Sequence, residues 1–249
     1  MTNNDIVKIN KDKIKCSNEN KRTRSTFLTL ALIRNDISDL VYLQGLFVKS
    51  NKDIKYEISS VSGQFTGRMI YIMRLALSHY YEFLFFIDKR KKEIDNDLEF
   101  QVVLKSLNKK NKEVWHNFYC LASELKTIGE ISKVKPNIKY KVAALAESIR
   151  GNLTFHYYHS SFYLYKGFIQ AFYLDKQEEK NKHPLVTESE NVSKDRSYYI
   201  DLSIERYLEN ESMIDENLFK FEKNIINTIA EVNMILNRIL NIYHKKIKI

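Results

Sequence analysis

Apolar residues in this chain recur at intervals of three and four, in long runs, and seldom in alternation. Leu30, Ile33, Ile37, Leu40, Val41 and Phe47 fall near helical spacing, with Arg34, Asp36 and Asp39 on other faces. The pattern predicts a first helix over 26–49, with Ser25 or Thr26 as its N-cap. A polar connection over 50–58 leads to a second long helix, 60–93, whose stripe is Met69, Met73, Ala76, Leu77, Tyr80, Leu84 and Ile87. Its end is the run Asp88-Lys89-Arg90-Lys91-Lys92-Glu93, where cations suit the negative end of the helix dipole.

The same periodicity predicts a short helix over 97–107, around Phe100, Val103, Leu104 and Leu107. Another follows over 111–129, with Val114, Trp115, Phe118, Leu121, Ala122 and Leu125 inward and Gly129 as its stop. Pro136 sits where a new helix can begin, and Ile138, Val142, Leu145 and Ile149 carry it to Arg150. Gly151 and Asn152 interrupt the pattern and predict a kink or break. A strongly aromatic helix is expected from 153 to 176, and its rings read chiefly as core filler. A polar loop, 176–197, contains Pro184, and a C-terminal helical segment occupies 198–249. Within it Leu218, Phe221, Ile225, Ile229, Val232, Leu236, Ile239 and Tyr243 mark a long helix over 212–245 that closes the bundle or forms a dimer seam, closure being favoured.

The fold class that follows is all-α, a bundle of six to seven helices in one domain over 25–249. Residues 1–24, polar and lysine-rich, are expected to be a flexible basic leader. Composition strengthens this picture. Six Gly and two Pro in 249 residues leave little material for the turns of a β-sandwich or a nucleotide-binding α/β fold. No internal repeat at solenoid periods is visible.

Charge and cysteine content narrow the function classes. The net charge of +9 suits a polyanionic partner, although a lysine-rich, AT-biased composition produces the same balance. Cys16 and Cys120 lie far apart, so no disulfide framework is implied and a reducing cytoplasm is expected. The N-terminal residues lack the apolar core of a signal peptide, and the most apolar stretch, 80–87, is too short to span a bilayer. Gly63 and Gly67 form no phosphate loop, since no Gly-Lys-Ser/Thr follows, and no nucleophile elbow is present. His156 and His159 offer two ligands on one helical face, but no carboxylate follows until Asp175, so no metal and no cofactor is predicted.

The remaining feature is the segment Arg150-Gly151-Asn152-Leu153-Thr154-Phe155-His156-Tyr157. It resembles the motif of the HEPN superfamily of helical domains, whose nuclease members carry an Arg, four to six residues, then a His. The Phe155-His156-Tyr157 end matches related sequences, whereas the Asn usually next to the Arg is displaced by Gly151 to position 152. Two further pairs share the spacing, Arg74 with His79 and Arg238 with His244, but both lie inside unbroken helical patterns. The resemblance covers about residues 60–175 as a scaffold.

The resemblance implies metal-independent RNA cleavage through attack of a 2′-hydroxyl on the adjacent phosphate, in defence or a toxin–antitoxin response. His156 would be general base or acid, Arg150 would hold the phosphate, and Asn152 would orient His156 or bind RNA. Tyr157, His79 and Glu82 are supporting candidates. The implied partners are RNA, a second copy of the chain, and a protein antitoxin or regulator, with no membrane. The alternative reading is a non-catalytic helical interaction or regulatory module, in which Arg150 caps a helix and His156 is a core histidine.

Overall fold

The computed structural model describes residues 18–50, 60–135, 137–151, 164–167, 169, 204, 207 and 218–247. Among them every regular element is helical and there is no strand. The long helices are α1 (Asn18–Ser50), α2 (Ser60–Asn96) and α7 (Leu218–Ile247). Between α2 and α7 lie α3 (Leu98–Lys105), α4 (Lys109–Ser123), a 3₁₀ turn (Leu125–Thr127), α5 (Ile128–Val134) and α6 (Ile138–Ile149). The all-α bundle expected from periodicity is the observed fold.

Helix α2 is the centre of the bundle. It packs against α1, α3, α4, α6 and α7. This is possible because its apolar residues exceed a single stripe: Met69, Ile70, Met73, Leu77, Tyr80, Phe83, Leu84 and Ile87 are all buried. Phe118 of α4 meets the edges of two α2 rings, Tyr80 at 6.1 Å and Phe83 at 5.6 Å between centroids. Such edge-to-face pairs add about 0.5–1.5 kcal/mol each to the burial itself. Elsewhere in the core, Phe27 of α1 stacks on Tyr243 of α7 and on Phe100 of α3. The α7 stripe from Phe221 to Tyr243 is buried within the bundle, so this helix closes it.

Several boundaries differ from the periodic reading. Helix α1 begins at Asn18, so residues 18–24 belong to it and Ser25 and Thr26 cannot cap it. Thr23 and Thr26 are buried, and Thr23 donates to Asp97 across to the start of α3. That bond satisfies a buried hydroxyl and ties the extended start of α1 to α3. Residues 1–17 of the expected leader lie outside the described residues. Gly129 does not stop a helix; it lies inside α5, and the 3₁₀ turn before it makes the break. Val41 and Ile138, both expected inward, are exposed.

The N-caps carry a signal in the sequence that apolar spacing overlooks. Asp97, Asn108 and Asn137 immediately precede α3, α4 and α6, and each side chain accepts a backbone N–H of the first turn, from Phe100, Asn111 and Lys139. Pro136 itself, most of the expected 153–176 helix and the 176–197 loop lie outside the described residues. Within the aromatic segment, residues 164–167 are helical and Leu164 packs against the core.

The Tyr80 ring is fully buried, and its hydroxyl has no hydrogen-bond partner among the described residues. Desolvation raises the pKa of that hydroxyl strongly, with a smaller push from Glu231. Removing an unsatisfied buried hydroxyl relieves a desolvation cost, so Tyr80→Phe should stabilise the fold by about 1 kcal/mol in urea unfolding followed by circular dichroism. A loss of stability would mean that the hydroxyl has a partner.

Candidate functional site

Arg150 is the residue of the motif that the described structure holds in full. It follows the last turn of α6, and its backbone N–H donates to the carbonyls of Ala146 and Glu147. Its backbone is right-handed helical, and over Arg150 and Gly151 the helix widens into a π-type turn. The expected kink therefore starts as a change of helix type, not as a break, as far as Gly151. A Cβ added at Gly151 would meet nothing within 4 Å, and its φ lies outside the left-handed region, so neither crowding nor backbone strain requires glycine there. π-type turns are single wide turns often found at functional positions.

Two residues of α2 hold the Arg150 side chain. Its Nε donates to Glu82 Oε1 at 2.9 Å, and its guanidinium lies 5.4 Å from the centre of the Tyr81 ring. The structure thus brings together two residues singled out from the sequence, Arg150 and Glu82, 68 positions apart in the chain. The pair is a little over one-third exposed, at 35% and 39% for the two side chains, so solvent screens it and its contribution to stability is about 0–1 kcal/mol. The exposure also leaves the guanidinium within reach of an anion.

His79 is engaged elsewhere. Its Nδ1 lies 3.6 Å from Asp36 Oδ2 of α1, an ion-pair distance when the imidazole is protonated. His79 and Glu82, both supporting candidates on α2, are therefore tied to different elements, α1 and α6. The reason is rotational: residues three apart on a helix project about 60° apart, enough for each to meet its own neighbour. Asn152, His156 and Tyr157 lie outside the described residues.

Glu147, one turn before Arg150, was not singled out from the sequence. It is half-buried, and desolvation raises its pKa. The Tyr81 phenol is also raised, first by desolvation, then by the charge of Glu147, with Arg150 acting in the opposite direction. Arg150, Glu82, Tyr81 and Glu147 thus form one electrostatic cluster where α6 meets α2. Arg150 and Glu82 each carried a sequence signal of its own, whereas Tyr81 and Glu147 carried none, and nothing local linked the four, since they come from two helices.

Among the described residues no group of three or more His, Cys, Asp or Glu could hold a metal, and no helix is long and apolar enough to cross a membrane. The His156, His159 and Asp175 set lies outside the described residues. Cys120 is a free thiol 3.5 Å from His116 Nε2 on α4. No family model, no curated protein and no solved structure matches the chain.

The sign of the Glu147 shift gives a prediction. A carboxyl whose folded pKa is raised binds its proton more tightly in the folded state, so folding stability falls as pH rises through the range above its ordinary value and stays lower beyond it. Glu147→Gln should therefore raise the melting temperature at neutral pH, with the gain fading as pH falls into the ordinary carboxyl range. An unchanged or lowered melting temperature at pH 7 would show that Glu147 has a stabilising partner.

Proposed function

We propose that the protein is a metal-independent endoribonuclease of HEPN type, working in the cytoplasm as a homodimer. The observation that carries this reading is Arg150: a partly exposed guanidinium, fixed by Glu82 and Tyr81, at a π-type turn that leads directly into Asn152 and the Phe155-His156-Tyr157 segment. The net charge of +9 supports a polyanionic substrate, bound mainly through its phosphates.

In this reaction the 2′-oxygen of a ribose forms a bond to the adjacent phosphorus while the bond to the departing 5′-oxygen breaks. His156 takes the 2′-hydroxyl proton or delivers one to the leaving oxygen, because imidazole titrates near neutrality. Arg150 contacts the non-bridging oxygens, where charge accumulates in the transition state. Asn152 orients the imidazole or the RNA. Glu82 holds Arg150 until a phosphate competes for it. A role in defence or a toxin–antitoxin response, with a protein antitoxin or regulatory partner, rests on the HEPN resemblance.

The second reading is a non-catalytic interaction or regulatory module, and two observations favour it. Glu82 already neutralises Arg150, and the C-terminal end of a helix suits a cation as a cap better than it suits a bound anion.

Labelled RNA incubated in EDTA separates the two. The wild type should cut and leave cyclic phosphate ends. His156→Ala should lose about 10²–10⁴-fold in rate, and Arg150→Ala about 10²–10³-fold. Glu82→Gln should retain cleavage, because it frees the arginine without removing it. No cleavage by the wild type, or equal cleavage by the wild type and His156→Ala, sinks the ribonuclease and leaves the interaction module.

A further inference from the structure

Helix α1 is apolar on two opposite faces. One face, with Phe27, Leu30, Ile33, Ile37 and Leu40, is buried in the bundle. The other carries Leu28, Leu32, Tyr42 and Leu46, which are 70%, 61%, 64% and 46% exposed. These four, with exposed Asn35 and Asp39, stand at successive intervals of four, three, four, three and four residues. That spacing is the seam of a two-stranded coiled coil. It spans 19 residues from Leu28 to Leu46, about 27 Å of helix.

The seam is palindromic about Ile37. Set against an antiparallel copy of itself, Leu28 meets Leu46, Leu32 meets Tyr42, and Asn35 meets Asp39, each layer occurring twice. The polar layer is complementary. The Asn35 side-chain oxygen already accepts from Arg34 at 3.2 Å, which leaves its amide N–H groups to donate to a carboxylate. A parallel pairing would instead set Asp39 against Asp39 across the axis, a repulsive contact. One flank of the antiparallel seam carries Ala31 opposite Gly45, and a Cβ at Gly45 would meet nothing within 4 Å, so the backbones can approach closely there. On the other flank Asp36 is held by His79.

We propose that α1 is the homodimerisation helix and that two copies pair antiparallel through this seam. The occupant is a second copy of the chain, because the apolar spacing and the Asn35–Asp39 layer are both self-complementary under one two-fold axis. A seam of one helix is narrow beside the roughly 800 Å² per partner of a typical stable interface. The dimer should therefore dissociate measurably on dilution. This pairing is argued from α1 alone and does not rest on the ribonuclease reading, and molecular mass reports on it without any cleavage assay.

Sedimentation of the full chain across a concentration series should show a monomer–dimer equilibrium. Leu28→Glu with Leu46→Glu should abolish the dimer while the helical circular dichroism spectrum is kept, both positions being solvent-exposed. With Cys16 and Cys120 replaced by Ser, mixing Leu28→Cys protein with Leu46→Cys protein should give disulfide-linked dimers on mild oxidation, whereas Leu46→Cys protein alone should not. A wild type that stays monomeric at every concentration overturns the proposal, as it would if other segments of the chain cover this face. So does a dimer that survives the double Glu substitution, or efficient crosslinking of Leu46→Cys to itself, which would mark a parallel pair.

Discussion

Burial of α2 on several sides at once is the constraint on which the rest of the bundle depends. A helix with one apolar stripe needs one neighbour, whereas α2 buries residues such as Ile70, Met73, Tyr80, Phe83 and Leu84 that point in different directions. It can do so only if several helices surround it, and α1, α3, α4, α6 and α7 do. The short helices α3 to α6 follow from this. They are the pieces into which the chain must be divided to wrap one long helix, and the caps at Asp97, Asn108 and Asn137 set where each piece starts.

The same packing places the Arg150 cluster. Helix α6 packs on α2, so Arg150, the residue that follows α6, arrives beside Tyr81 and Glu82. Cation, carboxylate and aromatic face meet where the interface opens to solvent, and the partial exposure of the pair keeps its energy small. A strong, buried pair would be committed to structure. A weak, half-exposed one leaves the guanidinium open to solvent and commits Arg150 less firmly to its place in the fold.

Helix α1 illustrates a limit of reading periodicity. Its buried face was legible from Leu30, Ile33, Ile37 and Leu40, but Val41 was grouped with them although it is exposed. Where apolar residues surround a helix, spacing alone does not say which side meets the core. The start of α1 was misplaced for a related reason. Residues 18–24 are polar, and the bond that ties them to α3 runs from Thr23 to Asp97, a residue 74 positions away. Gly129 failed as a stop because the chain already breaks at the 3₁₀ turn over Leu125–Thr127, and a new helix, α5, runs through the glycine.

The candidate site was legible in parts. Arg150 and Glu82 were each noticed for local reasons, the first for its spacing to His156 and the second for its place on an aromatic helix. That they touch is a consequence of how α6 crosses α2. By itself the sequence determined the all-α class, the central stripe of α2 and the closing stripe of α7, because helical periodicity and scarce Gly and Pro are local properties of the chain. Only the tertiary structure decided which face of α1 is inside, which cation meets which carboxylate, and that His79 turns to Asp36 while Glu82 turns to Arg150. These depend on the rotation and crossing of whole helices, and those are set by the packed core.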